Sequence, residues 1–459
     1  FARRQAANHV FCVSHLWHTL GVYKAADFET PDTGIECTRD ELNLHGCRQN
    51  FRLALEPVAG SDFNDRYVLC LLTHSLTGRV NSAILYAPVS DTRITVMTSE
   101  QKTGAGPLAG LRLIEMGTLL AGPFCGQLMG DFGAEVLKIE PPGQGDPMRE
   151  WGREKAHGMS LWWPVVGRNK KSVTVNLRVK EGQEIVRQLV SKADFLLENF
   201  RPGTLERWNL SFEELQKINP RLIMIRVSGF GQTGPYASRA GFGAVGEAMG
   251  GLRYVCGDPS TPPSRMGISI GDSLAATFAC IGALSALHYR EKTGQGQVVD
   301  SAIYEAVLNM MESLVTEYDK TGYIRERTGA ILPNVAPSNV YPTRDGGMIL
   351  IAANQDTVFG RLAEAMGRPE LARDERYATH TARGAVQTEL DDLIADWTRT
   401  IDALALEELM DKFGIPSGKI YRTPEMLEDA HFKARQAIVT TMHPKFGELR
   451  MQNVAPKLS

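Results

Sequence analysis

The sequence predicts an α/β protein: a large domain built on a doubly wound parallel sheet, followed by a smaller α/β domain. Two observations predict it. From residue 108 to about 300, short apolar runs of strand length alternate with segments of helical periodicity, the alternation that builds strand-helix-strand units. A polar stretch, Asp319 to Gly329, then separates this region from a second, shorter set of strands and helices.

The elements follow in order. Leu111 to Met116 reads as a strand, Pro123 to Asp131 as a helix with proline at its start, Gly133 as its stop and Glu135 to Ile139 as the next strand. The pattern repeats in Ser172 to Asn176 (strand), Gly182 to Ser191 (helix), Phe195 to Glu198 (strand), Ser211 to Asn219 (helix opened by Ser-x-x-Glu) and Leu222 to Val227 (strand). Ser273 to His288 reads as a helix because Leu274, Phe278, Ile281, Leu284 and Leu287 recur at helical spacing. Ala275, Ala276, Ala279, Gly282 and Ala283 permit close packing there. Ala302 to Tyr318 is expected as one further helix. Asn339 to Thr343 and Met348 to Ala352 read as strands around the Arg344–Gly347 turn, with helices at Thr357 to Met366 and Glu389 to Thr398. The expected boundaries are 108–318 for the large domain, 319–330 for the linker, 331–428 for the small domain and 429–459 for a segment returning to the large domain.

Composition narrows the classes. At 459 residues, with 43% hydrophobic and 22% charged residues, the chain is long enough for two or three domains, and a net charge of -3 gives no sign of a nucleic-acid partner. Ser273 to Leu287 is too short and too rich in small residues for a bilayer span, which needs about 20 apolar residues, so no membrane partner is expected. Residues 1–96 differ from the rest, holding Cys12, Cys37, Cys47, Cys70 and five of the 10 histidines. They lack the paired short spacings of a zinc site and the pattern of a signal peptide, so no metal is expected. A functional start at Met97 is expected, with 97–107 a polar leader and residues 1–96 an unassigned segment. Cys125, Cys256 and Cys280 are sparse and suit a reducing compartment. The expected location is the cytoplasm, or the mitochondrion in a eukaryotic source.

Asp272 stands in Gly267-Ile-Ser-Ile-Gly-Asp-Ser273, directly before the alanine-rich helix. As an N-cap it would contribute about 1 kcal/mol by accepting orphan backbone N–H groups, and for an arbitrary aspartate that structural reading is preferred. The motifs around it point elsewhere. They are Leu108-Ala-Gly-Leu-Arg-Leu-Ile-Glu-Met-Gly-Thr-Leu-Leu-Ala-Gly-Pro-Phe124, Gly130-Asp-Phe-Gly-Ala-Glu-Val-Leu-Lys-Ile-Glu-Pro-Pro-Gly143, Arg168-Asn-Lys-Lys-Ser172, Glu198-Asn-Phe-Arg-Pro-Gly203, Gly229-Phe-Gly-Gln-Thr-Gly-Pro235 and Lys292-Thr-Gly-Gln-Gly-Gln-Val-Val-Asp300. In this order and spacing, Leu108 to Ser459 resembles the class III CoA-transferases of the CaiB/BaiF type. That group includes formyl-CoA:oxalate transferases and, nearer to this chain, transferases acting on succinyl-CoA and small dicarboxylates.

The resemblance implies that Asp272 is the catalytic nucleophile. It attacks an acyl-CoA thioester to give a mixed anhydride, and exchange then proceeds through an enzyme-linked CoA thioester. It implies CoA contacts at Leu120 and Ala121, at Val175, Asn176 and Arg178, at Asn199, Phe200 and Arg201, and at Arg207. Phe200 would pack on the adenine or pantetheine, and the arginines would meet phosphate. Read as residues alone, Phe200 is a core side chain and the arginines a solvated loop face. Arg168, Lys170 and Lys171 read first as solvated surface and second as a phosphate site. Backbone N–H groups near Gly271 are candidate oxyanion donors. The implied substrates are a coenzyme A thioester, with succinyl-CoA the expected donor, and a small carboxylic acid, with no permanently bound cofactor. An interlocked homodimer is implied as well, and the chain stops at Ser459 before the usual ring-closing segment.

Gly229 to Gly234 matches G-x-G-x-x-G, yet no clear amphipathic helix or acidic strand end follows, so a loop bordering the acyl-CoA pocket is the better reading than a dinucleotide fingerprint. Leu120, Pro141, Ala240 and Gly243 replace the glutamine, arginine, lysine and glutamate of formyl-CoA transferases, against oxalate specificity. Ile331 to Ser338 replaces their glycine-rich covering loop. A 2-methylacyl-CoA racemase is the second enzyme reading. Its histidine falls at Phe242, which carries no proton. A catalytically silent acyl-CoA-binding protein is the third reading.

Overall fold

The computed structural model describes four strands within residues 51–97 and, continuously, residues 106–459. The rest of residues 1–105, with Cys12, Cys37, Cys47 and most of the polar leader, lies outside the described residues, as do the readings made on it. Two compact units divide at Thr103 and Gly104. In the first, Phe51–Pro57, Arg66–His74, Val80–Pro88 and Thr95–Met97 form an antiparallel sheet in sequence order.

The second unit carries a six-stranded parallel sheet. Its strands, in chain order, are Arg112–Glu115, Glu135–Glu140, Lys170–Thr174, Phe195–Glu198, Ile223–Ser228 and Val298–Ala302. Their order across the sheet is sixth, fifth, fourth, first, second, third. The chain winds outward in both directions from the gap between first and fourth strands, which makes that gap the topological switch point. Successive residues point to opposite faces, so one strand feeds two cores. Leu113, Phe195, Leu197, Ile223 and Ile225 pack with helices Ala121–Asp131 and Ile270–Thr293. Ile114, Leu196 and Met224 pack on the other side with Val186, Val190 and Leu215 of helices Lys180–Val190 and Phe212–Ile218. Ser211 caps the last of these by accepting from Glu214 N–H, as its sequence signature predicts.

Three expectations need correction. The alanine-rich helix runs from Ile270 to Thr293, 24 residues, and not from Ser273 to His288. At that length its apolar composition would suit a bilayer, but Ala275, Ala276, Ala279, Ala283 and Ala286 are buried in the domain core. Asp272 therefore lies inside the first turn, and Ser269 occupies the N-cap. The helix expected over Ala302 to Tyr318 is two, Ile303–Leu308 and Leu314–Thr321, because Glu312 adopts a left-handed backbone (φ 51°) that no helix continues through. The second of them extends into the stretch expected as linker.

In the smaller domain, Ser338–Pro342, Met348–Ala352 and Ser417–Lys419 form an antiparallel sheet. Helices Asp356–Ala365, Gln387–Thr398 and Ala403–Lys412 cover it around Tyr341, Ile349, Phe359, Leu362, Leu390 and Ile394. The C-terminal hairpin Ile438–His443/Gly447–Gln452 reaches the large domain, where Arg168 donates to the Gln452 carbonyl at 2.8 Å.

Candidate active site

Loops that leave the C-terminal ends of parallel strands are where an open α/β sheet binds its ligands. Leu120 and Ala121 follow the first strand and begin helix Ala121–Asp131. Val175, Asn176 and Arg178 follow the third, and Asn199, Phe200 and Arg201 follow the fourth. The sheet thus brings the first and last of these groups together at the switch point. Asn199 fastens them: its Oδ1 accepts from Thr118 N–H at 2.8 Å and its Nδ2 donates to the Thr118 carbonyl at 2.9 Å. These two bonds let Asn199 shape the crevice through Thr118, and each of its amide atoms keeps one further hydrogen-bonding position. Gly117 has no room for a side chain, since a Cβ there would meet Asn199 Oδ1 at 2.9 Å.

Phe200 is half-buried and meets Trp208 edge-on with ring centroids 5.3 Å apart, so its ring is packed on one side. Arg201 and Arg207 are exposed; Arg207 donates to Thr204 at 3.0 Å. Asn176 and Arg178 are exposed beyond the end of the third strand, while Val175 is buried. The arginines are thereby left available to an anionic ligand. Behind them, Glu198 is buried and salt-bridged to Arg226 at 2.7 Å, and it accepts from Phe200 N–H at 2.7 Å. Burial pushes its carboxyl up to about 7 against the pull of Arg226.

In the basic run Arg168, Lys170, Lys171 the surface reading holds for Lys171, which is exposed, and not for Lys170, whose side chain is buried; all three are paired. Arg168 forks onto Asp131 at 2.5 Å, Lys171 meets Glu135 at 2.8 Å, and the buried Lys170 meets Glu115 at 2.8 Å. Each cation already has a carboxylate.

Asp272 sits one turn into its helix with its carboxylate against the backbone of Gly243: a Cβ on Gly243 would lie 2.4 Å from Asp272 Oδ2. Gly241, two residues earlier, packs on Gly229. The loop after the fifth strand, with Gly231 and Gly234 at positive φ, is in this way held beside the segment that touches Asp272. Burial raises the Asp272 carboxyl to about 6, helped by the charge of Glu247 and opposed by Arg265. No hydrogen bond from the described residues contributes to holding it ionised. Glu247, buried on helix Gly243–Met249, pairs with Arg253 at 2.9 Å and accepts from Gly271 N–H at 3.3 Å. The Gly271 amide proposed from sequence as an oxyanion donor is therefore occupied. Phe242, where a racemase would carry its histidine, is 63% exposed at the start of the same helix.

Sequence reasoning missed Glu247 and a buried cluster of Glu115, Lys138, Asp146 and Lys170. A signal for the cluster exists: Glu115 and Lys138 adjoin the apolar pairs Leu113-Ile114 and Val136-Leu137 in strands of the parallel sheet, and a charge in a strand buried on both faces requires a partner. Glu247 lies in a short, weakly patterned helix and gives none. A shallow cleft of about 380 Å³ between Thr328–Asn334 and Gly384–Glu389 involves none of these residues.

A doubly wound sheet, a half-buried carboxylate in the first turn of a helix and a glycine loop beside it place a reactive group at a crevice of an α/β protein. Comparison with known proteins specifies the class. Residues 108–459 match the model of CoA-transferase family III. Succinyl-CoA–D-citramalate CoA-transferase of Chloroflexus aurantiacus is 64% identical over 353 residues, 77% of this chain and 88% of that protein. The alpha subunit of succinyl-CoA–L-malate CoA-transferase from the same organism is 42% identical over 377 residues, 81% of this chain and 87% of its own length. The crystal structure of a CaiB/BaiF family protein from Brucella suis superposes with a TM-score of 0.65 at 35% identity, covering 77% of this chain and 96% of that one. The chain belongs to CoA-transferase family III, and its activity is transfer of CoA from a CoA thioester.

Proposed function

We propose that the chain moves CoA from succinyl-CoA to a small hydroxydicarboxylic acid, with Asp272 as nucleophile. The observation that carries the mechanism is the Asp272 carboxylate itself, half-buried against Gly243 with no hydrogen bond to it from the described residues. An oxygen of Asp272 attacks the thioester carbon, the carbon–sulfur bond breaks, and CoA thiolate leaves an aspartyl-succinyl anhydride. The thiolate attacks the aspartyl carbonyl, releasing succinate and leaving CoA on Asp272 as a thioester. The acceptor carboxylate displaces CoA to form a second anhydride, and CoA then takes the acceptor acyl group and restores Asp272. A carboxylate is a weak nucleophile, so the rate relies on fixing it within reach of the carbonyl. Leu120, Ala121, Val175, Asn176, Arg178, Phe200, Arg201 and Arg207 border the CoA, the arginines meeting its phosphates.

The citramalate and malate transferases among its relatives support the donor and the acceptor class. The family resemblance supports a homodimer, and exposed Ile268, Ile281, Val315, Tyr318 and Ile324 give it an apolar surface to cover.

The test is mass spectrometry, intact and peptide-mapped, after incubation with succinyl-CoA and a panel of small diacids, beside Asp272→Ala. New acyl-CoA products with an adduct on Asp272, absent from the variant, are expected. CoA binding without adduct or exchange would reject the nucleophile and favour a silent binder.

A further inference from the structure

The segment Gly117–Ala121 has a conformation that its own sequence does not favour. Leu119, a branched side chain, adopts a left-handed backbone (φ 63°), a strained conformation that persists only where neighbours enforce it. The enforcement is visible on both sides. From the fourth strand, Asn199 holds both backbone groups of Thr118. From the second strand, buried Lys138 donates to the Gly117 carbonyl while pairing with Glu115 at 3.0 Å and Asp146 at 2.7 Å. Asp146, itself buried, accepts the Leu119 N–H at 3.0 Å through its other oxygen.

Asp146 is in turn locked. Its own N–H donates to Glu140 at 2.7 Å, and Glu140 takes a two-pronged salt bridge from Arg149 at 2.6 and 2.8 Å and a hydroxyl from Ser172 at 2.6 Å. Glu115 also binds Lys170, which donates to the Pro123 carbonyl at 2.6 Å in the first turn of helix Ala121–Asp131. The cluster has as many cationic as anionic members around the loop (Lys138 and Lys170 with Glu115 and Asp146), and it holds the backbone of the crevice rather than facing a ligand. Buried ion pairs contribute little net stability against apolar packing, so their use for stability alone is unfavoured. What they add is a fixed geometry for one loop.

We infer that Lys138 and Asp146 are positioning residues that pre-set the Gly117–Ala121 loop for the CoA moiety before substrate arrives. The inference rests on the proposed CoA site. It assigns the cluster to affinity for the thioester rather than to the exchange chemistry at Asp272, because a pre-set loop spares binding the cost of ordering it.

The first test needs no substitution. In hydrogen exchange of the full chain without ligand, the Thr118 and Leu119 amides should be protected roughly a hundredfold relative to an open loop. Fast exchange that becomes slow only with CoA would overturn the inference. The second is steady-state kinetics of Asp146→Asn, which sets an amide N–H against the Lys138 ammonium. The expected result is a KM for succinyl-CoA raised about tenfold, with kcat and the KM for the acid little changed. Adding Leu119→Gly, which adopts positive φ without strain, should recover part of that loss. An Asp146→Asn protein with unaltered KM, or with both KM values raised alike while kcat and Tm fall, would overturn it. Failure of the wild-type chain to exchange CoA at all would instead count against the proposed function.

Discussion

Two carboxylates of the same domain, the buried Asp146 and the half-buried Asp272, have opposite surroundings. Asp146 has an ammonium at 2.7 Å and two backbone donors, Leu119 and Met148 N–H. Among the described residues Asp272 has no such donors, and its strongest charged neighbour is another carboxylate, Glu247. A compensated charge is fixed in place and builds the loop beside it; an uncompensated one keeps its lone pairs for a substrate. The same contrast makes one site a source of order and the other a cost to the fold. Substitutions at each should therefore move opposite quantities.

The largest effect is expected at Asp272. Asp272→Asn should lower exchange on the order of a thousandfold or more, because an amide neither attacks the thioester nor forms the anhydride. Stability should change the other way. The carboxyl is raised from 3.8 to about 6 in the folded state, so the native fold binds its proton more tightly than the unfolded chain does. That preference is fully present below about pH 4 and is lost as pH rises through about 6. At pH 7.5 the asparagine variant should melt higher than wild type, with the gap closing at pH 4. A variant that melts lower at pH 7.5 would mean that Asp272 is compensated by a group not seen around it.

At the other carboxylate, Lys138→Met should destabilise the domain by about 3–5 kcal/mol, because it leaves Asp146 buried with no cation. Glu115 retains Lys170, so the loss falls on Asp146. Chemical denaturation reads it. A loss below about 1 kcal/mol would show that the cluster is hydrated enough to dispense with its cation.

Gly243→Ala tests the space that Asp272 needs. The added methyl would sit 2.4 Å from Oδ2, so the carboxylate must swing aside, and a displacement near 1 Å is expected to lower kcat about a hundredfold. Gly243 begins a helix and its φ is not positive, so alanine should leave Tm unchanged or slightly higher. Normal turnover would show that the carboxylate works from another rotamer.

Much of this contrast was legible in the sequence, and its limits are physical. Apolar runs separated by Pro123, Gly133 and the Ser211 cap specify the sheet because each is a local signal. The strand order and its switch point are not local signals, so Leu120, Ala121, Asn199 and Phe200 come from the family resemblance and not from the sheet. Asp272 was found by motif, but its place inside the first turn was not, since nothing local distinguishes Ser269 from Asp272 as the cap. Lys170 was read as solvated because its partner, Glu115, is 55 positions away. The distance between Asn199 and Thr118, 81 positions, hides the amide clamp in the same way.

The finest test separates burial from charge at Asp272. Burial is the first cause of its raised pKa and Glu247 the second, so Glu247→Gln should remove only the smaller part. The glutamine carbonyl still accepts the Gly271 N–H, leaving the helix start in place, while Arg253 loses its carboxylate. The acid limb of the kcat profile, where Asp272 gains its proton and stops attacking, should then move down from about 6 by less than about one unit. Its height at pH 8 should hold, because at that pH Asp272 is ionised in both proteins. An unmoved limb would make burial the whole cause. A collapse of kcat at every pH, with no shift in the limb, would place Glu247 with Asp146 among the residues that hold backbone rather than tune charge.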